Sequence, residues 1–553
     1  MEMDKKKKIA LLSNVTVDLI AGKLRKEYEF YLPEGFDTWV QEVFSSTSGL
    51  YTEGVDAVVV LLDGTEARSW KNELQGAERI GAWKQAMTIL AEKFENIPIF
   101  VSTIDVRESK IKTLTEHKMR YEMENAWYQY VQEMIDRKEN IYLWDVVELI
   151  MELGRKQFYS NKMWYVSNMP YSREGLNAVS AELDRILRTF FGERKKAIVV
   201  DLDNTMWGGV VGEDGIDGIE LSHHKEGQRY FDFQKQMLEM KNRGIVFAIN
   251  SKNNVEDAEK AIQNHPAMAF RLEDFVSRKI NWNSKAQNIK EIVQELNISE
   301  SGFMFIDDNP VEREIVRGEC KGVEVPEFPE DTTELITFAE NIWNEYCRPP
   351  RVLEEDRKKT LMYQNEAKRK QEMGGCLNLE DYIAKLEMIV DIHPMRRDEL
   401  DRVVQLINKT NQFNLTTKRY TKEEIQEIVN KDTNKIYVAY SSDKYGEQGL
   451  ISVVILCEED RSVIIDSFLM SCRVMGRKLE DVIINAILEK YKEKEAVIGE
   501  FRQTEKNGPV KDLYERLGFI MIEEREDKKR YEFKMSNYKK REFEFYKKVD
   551  MKE

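Results

Sequence analysis

The 553-residue sequence is short of several things at once. It holds five cysteines, Cys320, Cys347, Cys376, Cys457 and Cys472, and no C-x-x-C pair among them, which leaves no zinc ribbon or redox motif. Their odd, scattered count argues against a disulfide framework and for a reducing compartment, the cytoplasm. Five histidines are fewer still for this length, and the first 192 residues contain one, His117, so a serine nucleophile there has a single candidate base. No long apolar run exists. The basic stretch Lys5 to Lys8 leads into Ile9 to Leu12 and then Ser13 and Asn14, too short for a signal-sequence core or for the roughly 20 residues of a membrane span. Positive charge is also scarce, with 84 Lys and Arg against 100 Asp and Glu and a net charge of −16. That balance disfavours nucleic acid as a partner, and no membrane partner is expected.

What is present is length enough for several cores and a repeated alternation of apolar runs with helical patterns. Runs Ile9 to Leu12, Val55 to Leu62, Ile97 to Val101 and Ile141 to Val147 alternate with long helical stretches over residues 1–192, which predicts a doubly wound parallel sheet. A second such sheet is predicted over 193–348. Arg348-Pro349-Pro350 then breaks the chain, 349–374 reads as a charged helical linker ending in Gly374-Gly375, and 375–535 reads as an α+β domain followed by a charged tail, 536–553.

The chemistry gathers in AIVVDLDNTMWGGVVGEDG, Ala197 to Gly215. A strand buried on both faces runs straight into Asp201 and Asp203, and two acids spaced i, i+2 at a strand's carboxyl end can face one substrate. One carboxylate can attack phosphorus if a cation offsets its repulsion from the phosphate oxygens, while the second protonates the leaving oxygen and later activates water. Mg2+, which prefers oxygen ligands, suits that role. A surface Asx turn would also read D-x-D-N, so the decision rests on three later pieces. Ile245 to Asn250 ends at Ser251, whose hydroxyl and N–H suit a phosphate oxygen. Lys285 opens an amphipathic helix marked by Ile289, Ile292, Val293 and Leu296. Phe303 to Ile306 ends in Asp307 and Asp308, with Asn309-Pro310 opening a helix.

Acid pair, Ser, Lys and acid pair in this order resemble the four motifs of the haloacid dehalogenase (HAD) superfamily. WGGVVGEDG, INSKNN, NWNSK and FIDDNPVERE, with QLINKTNQFNLTTKRYT at Gln405 to Thr421, resemble its FkbH-like branch, bifunctional glyceryl transferase/phosphatase proteins of HAD-IIIC type. The resemblance implies Asp201, Asp203 and Lys285 as catalytic residues, Thr205, Ser251, Lys252 and Asn253 as the substrate-binding set, and Asp201, Asp203, Asp307 and Asp308 around Mg2+. It also implies 1,3-bisphosphoglycerate as donor and the phosphopantetheine arm of an acyl carrier protein as acceptor. Only 34 positions separate Ser251 from Lys285 and 42 separate Asp203 from Ile245, too few for a cap domain, so the flanking domains are expected to cover the site.

Ser13 sits where SGNH hydrolases carry their nucleophile, but PYSREG from Pro170 lacks their late histidine, and residues 1–192 read as a degenerate SGNH-like domain. The order of helices and strands from Asp398 to Lys490 resembles the GNAT acyltransferase fold. Arg473, Gly476 and Arg477 in RVMGRK are its candidate contacts to coenzyme A or phosphopantetheine, with Lys478 where the usual turn has a small residue. His223 and His224 on the flap, and Cys320, stay outside the catalytic set. Two rival readings remain: a phosphatase acting on a sugar phosphate or glycan precursor, and a GNAT-type acyltransferase with the HAD core as phosphate sensor.

Overall fold

A computed structural model describes all residues except 1–5, 70–72, 112, 116–117, 353, 375, 377, 505, 526–527 and 553. The chain is α/β and divides into two units, Met1–Arg357 and Lys358–Glu553. The first unit carries two parallel sheets. One is built from β1 (Lys7–Ser13), β2 (Tyr28–Tyr31), β3 (Ala57–Leu61), β4 (Ile99–Ser102) and β5 (Ile141–Trp144), in the order β2-β1-β3-β4-β5. The other holds β6 (Ala197–Val200), β7 (Val246–Ser251), β8 (Phe275–Ile280) and β9 (Phe303–Ile306), in the order β8-β7-β6-β9. The central strands read as unbroken apolar runs because helices cover both faces; every residue of β3, β6, β7 and β9 is buried.

Register decides where the chemistry emerges. Val200 pairs with Ile249 on one side and with Ile306 on the other, so the residues that follow reach the same edge together. Asp201 N–H extends the ladder by donating to the Ile306 carbonyl at 3.0 Å.

The two sheets of this unit join at the other end of β6. Helix Arg173–Phe191 meets Trp343–Cys347, where Lys195 N–H donates to the Tyr346 carbonyl and Arg188 pairs with Glu345. Arg351 adds bonds to the carbonyls of Ile135, Lys138 and Glu139. This seam lies at the amino end of β6, away from Asp201, which corrects the expectation that residues 1–192 cover the mouth.

The second unit is α+β. Its sheet contains β10 (Ile389–Pro394), β11 (Asn434–Asp443), β12 (Gly446–Glu458), β13 (Ser462–Met470), β14 (Ala496–Phe501), β15 (Ile520–Glu524), β16 (Lys529–Lys534) and β17 (Lys548–Met551), in the order β15-β16-β14-β13-β12-β11-β10-β17. The pair β13 and β14 is parallel and brief, from Ser462↔Ala496 to Ile465↔Gly499.

Two expected boundaries move. The linker 349–374 is divided, since helix Lys359–Gly374 packs in the second unit, where Arg369 forms a paired bond with Asp443 and Asn365 donates to the Tyr445 carbonyl. The tail 536–553 is not a solvated appendage: β17 pairs with β10, Tyr546 is buried in the core and its hydroxyl bonds the Arg477 carbonyl. The aromatics Phe543, Phe545 and Tyr546 anchor a segment whose lysines and acids alone would keep it in water.

Candidate active site

Asp201 stands at the end of β6 and is 6 % exposed. Lys285, the first residue of helix Lys285–Leu296, reaches back with its Nζ 3.0 Å from Asp201 Oδ1 and 2.5 Å from Asp307 Oδ2. Its backbone is fixed by Asn250, whose amide donates to the Lys285 carbonyl at 2.9 Å and accepts from Asn288. Burial works against the ammonium, but the charges of Asp201 and Asp307 outweigh it and hold its proton more tightly than usual. One cation does not balance three acids. Burial, then the Asp201 charge, push Asp307 up to about 7 against the opposing pull of Lys285, and the same two causes raise Asp308.

Carboxylate oxygens of Asp201, Asp307 and Asp308 lie within 4.8 Å of one another. Asp201 Oδ1 is buried, with the Lys285 ammonium 3.0 Å away. An all-oxygen donor set with excess negative charge fits Mg2+. These three residues would hold it.

The Asp203 carboxylate is not part of that trio. Its carboxylate is turned aside and held by three donors: Trp207 Nε1 at 2.9 Å and the Val211 N–H at 3.0 Å on Oδ1, and Asn253 Nδ2 at 2.7 Å on Oδ2. Burial raises its proton affinity and those three donors oppose the rise. A half-buried acid fixed in direction is equipped to pass a proton.

Two members of the expected substrate-binding set do other work. Asn253 positions Asp203, and Thr205 is fully buried, its Oγ1 accepting from the Asp308 N–H and donating to Asp308 Oδ1, which ties the first motif loop to the fourth. Ser251 and Lys252 do line the cleft of about 190 Å³, with Asp201, Asp203, Asn204, Lys285, Asp308, Asn309 and Glu312. Lys252 Nζ donates to Glu312 Oε1 at 2.5 Å across the mouth. Trp207 and Glu312 escaped the sequence reading. WGG immediately after the acid pair was the available signal for the first, and no local pattern marks the second.

Other candidates stand apart. Exposed His223 packs its ring on Phe231 4.4 Å away, and His224 is exposed on the same flap. Cys320 is buried, bonded to the Ala286 carbonyl, and burial pushes its thiol up. Ser13 Oγ donates to the Leu61 carbonyl, and past it β3 and β4 are drawn together by a Gly64↔Val106 bridge, so close that a Cβ on Gly64 would lie 2.5 Å from the Asp105 carbonyl oxygen. His117 lies outside the described residues. In the second unit Arg473 is exposed beside an open Gly476, whereas Arg477 is buried, with its Nη2 paired with Glu366.

No family model and no curated protein sequence matches the chain. Among solved structures it is similar to the N-terminal part of protein BF1531 from Bacteroides fragilis, containing a phosphatase domain complexed with Mg, at 26% identity and a TM-score of 0.57, covering 63% of this chain and 95% of that one. Spermidine N-acetyltransferase from Vibrio cholerae in complex with CoA and spermine matches 27% of this chain and 96% of its own at 19% identity, with a TM-score of 0.22. The ribosomal-protein-S18-alanine N-acetyltransferase from Escherichia coli matches 26% and 94% at 11% identity, also with a TM-score of 0.22. No helix of the described residues is long and apolar enough to cross a membrane. The first unit thus presents an enzyme's active site on a HAD-like core.

Proposed function

We propose that the chain is a phosphoryl-transfer enzyme of the FkbH-like kind, acting in the cytoplasm on a small phosphorylated three-carbon acid. The observation that carries this reading is the division of labour among four acids: Asp201, Asp307 and Asp308 crowd around Lys285, while Asp203 is held apart by three donors. Mg2+ at the trio would supply the positive charge that offsets repulsion between a carboxylate and a phosphate.

The protein's own part follows from the geometry. Asp201 attacks phosphorus while Lys285 and Ser251 hold phosphate oxygens. As the bond from phosphorus to the leaving oxygen breaks, its electron pair goes to that oxygen and Asp203 delivers the proton. Asp203 then takes a proton from water, the hydroxide oxygen bonds to phosphorus, and the phosphoaspartate opens to give Asp201 and inorganic phosphate.

The finer proposal is that 1,3-bisphosphoglycerate is the donor: the phosphopantetheine thiol of an acyl carrier protein gives its proton to solvent and attacks the acyl carbon, the bond from that carbon to the 1-phosphate oxygen breaks with its electron pair leaving on phosphate, and the phosphoryl steps above remove the 3-phosphate to leave a glyceryl thioester. A cleft lined by polar and charged side chains suits a small hydroxy acid phosphate. The test is to incubate the enzyme with carrier protein and donor, weigh the carrier by mass spectrometry and measure phosphate in parallel. A carrier heavier by one glyceryl group with wild type, and not with Asp201→Asn, supports the reading. Phosphate release with the carrier's mass unchanged sinks the transferase half and leaves a small-molecule phosphatase.

A further inference from the structure

We propose that the GNAT-like unit is closed to coenzyme A and to phosphopantetheine, because residues Phe413–Thr416 occupy, as a built-in strand, the cleft in which such an arm would lie. The argument starts from β13 and β14. These parallel neighbours pair through Ile465↔Gly499 and then separate, which leaves the backbone of Asp466 to Met470 with an unpaired edge at the carboxyl ends of two parallel strands. Parting parallel strands make the crevice in which an open sheet takes its ligand. Pantetheine is an extended chain with two amides, the chemistry that adds to such an edge as a strand does.

Here the edge is already used. Leu415 N–H donates to the Phe468 carbonyl at 3.1 Å, Met470 N–H donates to the Phe413 carbonyl at 3.0 Å, and Asn414 bridges Leu469 in antiparallel sense. Thr416 Oγ1 reaches the Asp466 carbonyl at 3.1 Å. The far wall is bound as well: Arg502, just past β14, donates its N–H to the Leu415 carbonyl at 2.8 Å, and Asn507 Nδ2 donates to the Asn414 carbonyl at 3.0 Å. Asn414 and Leu415 are fully buried and Phe413 is 2 % exposed. The segment bridges the gap between the two strands and takes up the Asp466 and Phe468 carbonyls and the Met470 N–H along that edge.

Asp466, the first residue past the last β13–β14 pair, locks the segment by accepting from Lys418 and from the Tyr420 hydroxyl. The neighbouring turn is committed too. Arg477 is buried against Glu366, and Lys478, with φ of 56°, caps helix Leu479–Lys490 where the turn of coenzyme A binders has a small residue. Any acyl group this protein handles is then handled outside that cleft, which is consistent with the open phosphoryl site but independent of it.

Hydrogen exchange of the full-length protein tests this, with coenzyme A and acetyl-coenzyme A as probes at 1 mM and with none. Without probe, the amides of Leu415 and Met470 are expected to exchange at least ~1,000-fold more slowly than in an unstructured chain, as core strands do. The same rates are expected with either probe, and titration calorimetry should show no saturable heat. Fast exchange of 413–416 without probe overturns the proposal, because the cleft is then free. Saturable binding accompanied by a changed rate at Leu415 or Met470 overturns it as well. Asp466→Asn should speed exchange at 413–416 without making either probe bind; binding gained by that variant would show a displaceable lid and overturn the closed state.

Discussion

Trp207→Phe isolates what holds Asp203, the acid proposed to transfer the proton. The indole is fully buried and its Nε1 is 2.9 Å from Asp203 Oδ1, so phenylalanine keeps much of the apolar bulk and deletes one of three donors to that carboxylate. A hydrogen bond to a charged group contributes about 1.5 to 3 kcal/mol, and if that is realised at the transition state the turnover number falls by about 10- to 150-fold. Val211 N–H and Asn253 still restrain Asp203, so the lower part of the range is expected. Phosphate release from a small phosphomonoester with saturating Mg2+ measures it, and KM should change little because Ser251 and Lys285 are untouched. The narrower ring also leaves a small void, so a thermal melt must accompany the kinetics. A folded variant with a turnover number within about twofold of wild type would show that Asp203 needs no such restraint, and the assignment of proton transfer to it would fail.

Three further outcomes are expected. Asp201→Asn should abolish turnover, by about 10,000-fold or more, while leaving the melting temperature equal or higher, since it removes one of three crowded carboxylates; phosphate assay and a thermal melt check both halves. Chelation should abolish phosphate release, with Mg2+ restoring it and Ca2+ failing to, because Ca2+ takes more ligands at longer distance. Asp63, wholly buried at the carboxyl end of β3, has its proton affinity raised by burial to about 6 from an ordinary 3.8. The folded state therefore binds this proton more tightly than the unfolded one, and the group's contribution to stability is lost as pH climbs from about 4 to about 6, by roughly 3 kcal/mol in all. Asp63→Asn should flatten that slope and leave the protein more stable at pH 8, measured by urea unfolding followed through the buried tryptophans; an unchanged slope would refute the assignment.

The phosphoryl site was legible in the sequence because its parts are local. Each motif is a strand end or helix start, and apolar runs such as Ala197 to Val200 announce the strand that aims Asp201. Roles that depend on distant partners were not legible. Thr205 and Asn253 sit in the right motifs, but only the register of three strands shows that one ties two loops together and the other holds Asp203. The motif of Asp203 gave it a place in the site, and nothing local to that motif shows that a tryptophan four residues on donates to its carboxylate. The stretch around Asn414 carries a family resemblance but no strand pattern, and its pairing partner Leu469 lies in another part of the chain. The tail looked solvated for the same reason: charge is counted locally, whereas pairing with β10 is not.

That last pairing bears on how the second unit is completed and kept apart from its copies. Lys552 and Asp391, which clasp the two strands, are 161 positions apart, so β10 finds its outer neighbour through one of the longest loop closures in the unit, a step that slows folding more than it weakens the product. Until it happens, Ile389, Val390 and Ile392 offer an apolar, unpaired strand to any other chain in the same condition. Once it has happened, the rim of the sheet is a four-residue strand bearing Lys548 and Asp550, too short and too charged to recruit another chain. The closing strand therefore protects against self-association, and the period of risk is the interval before it docks.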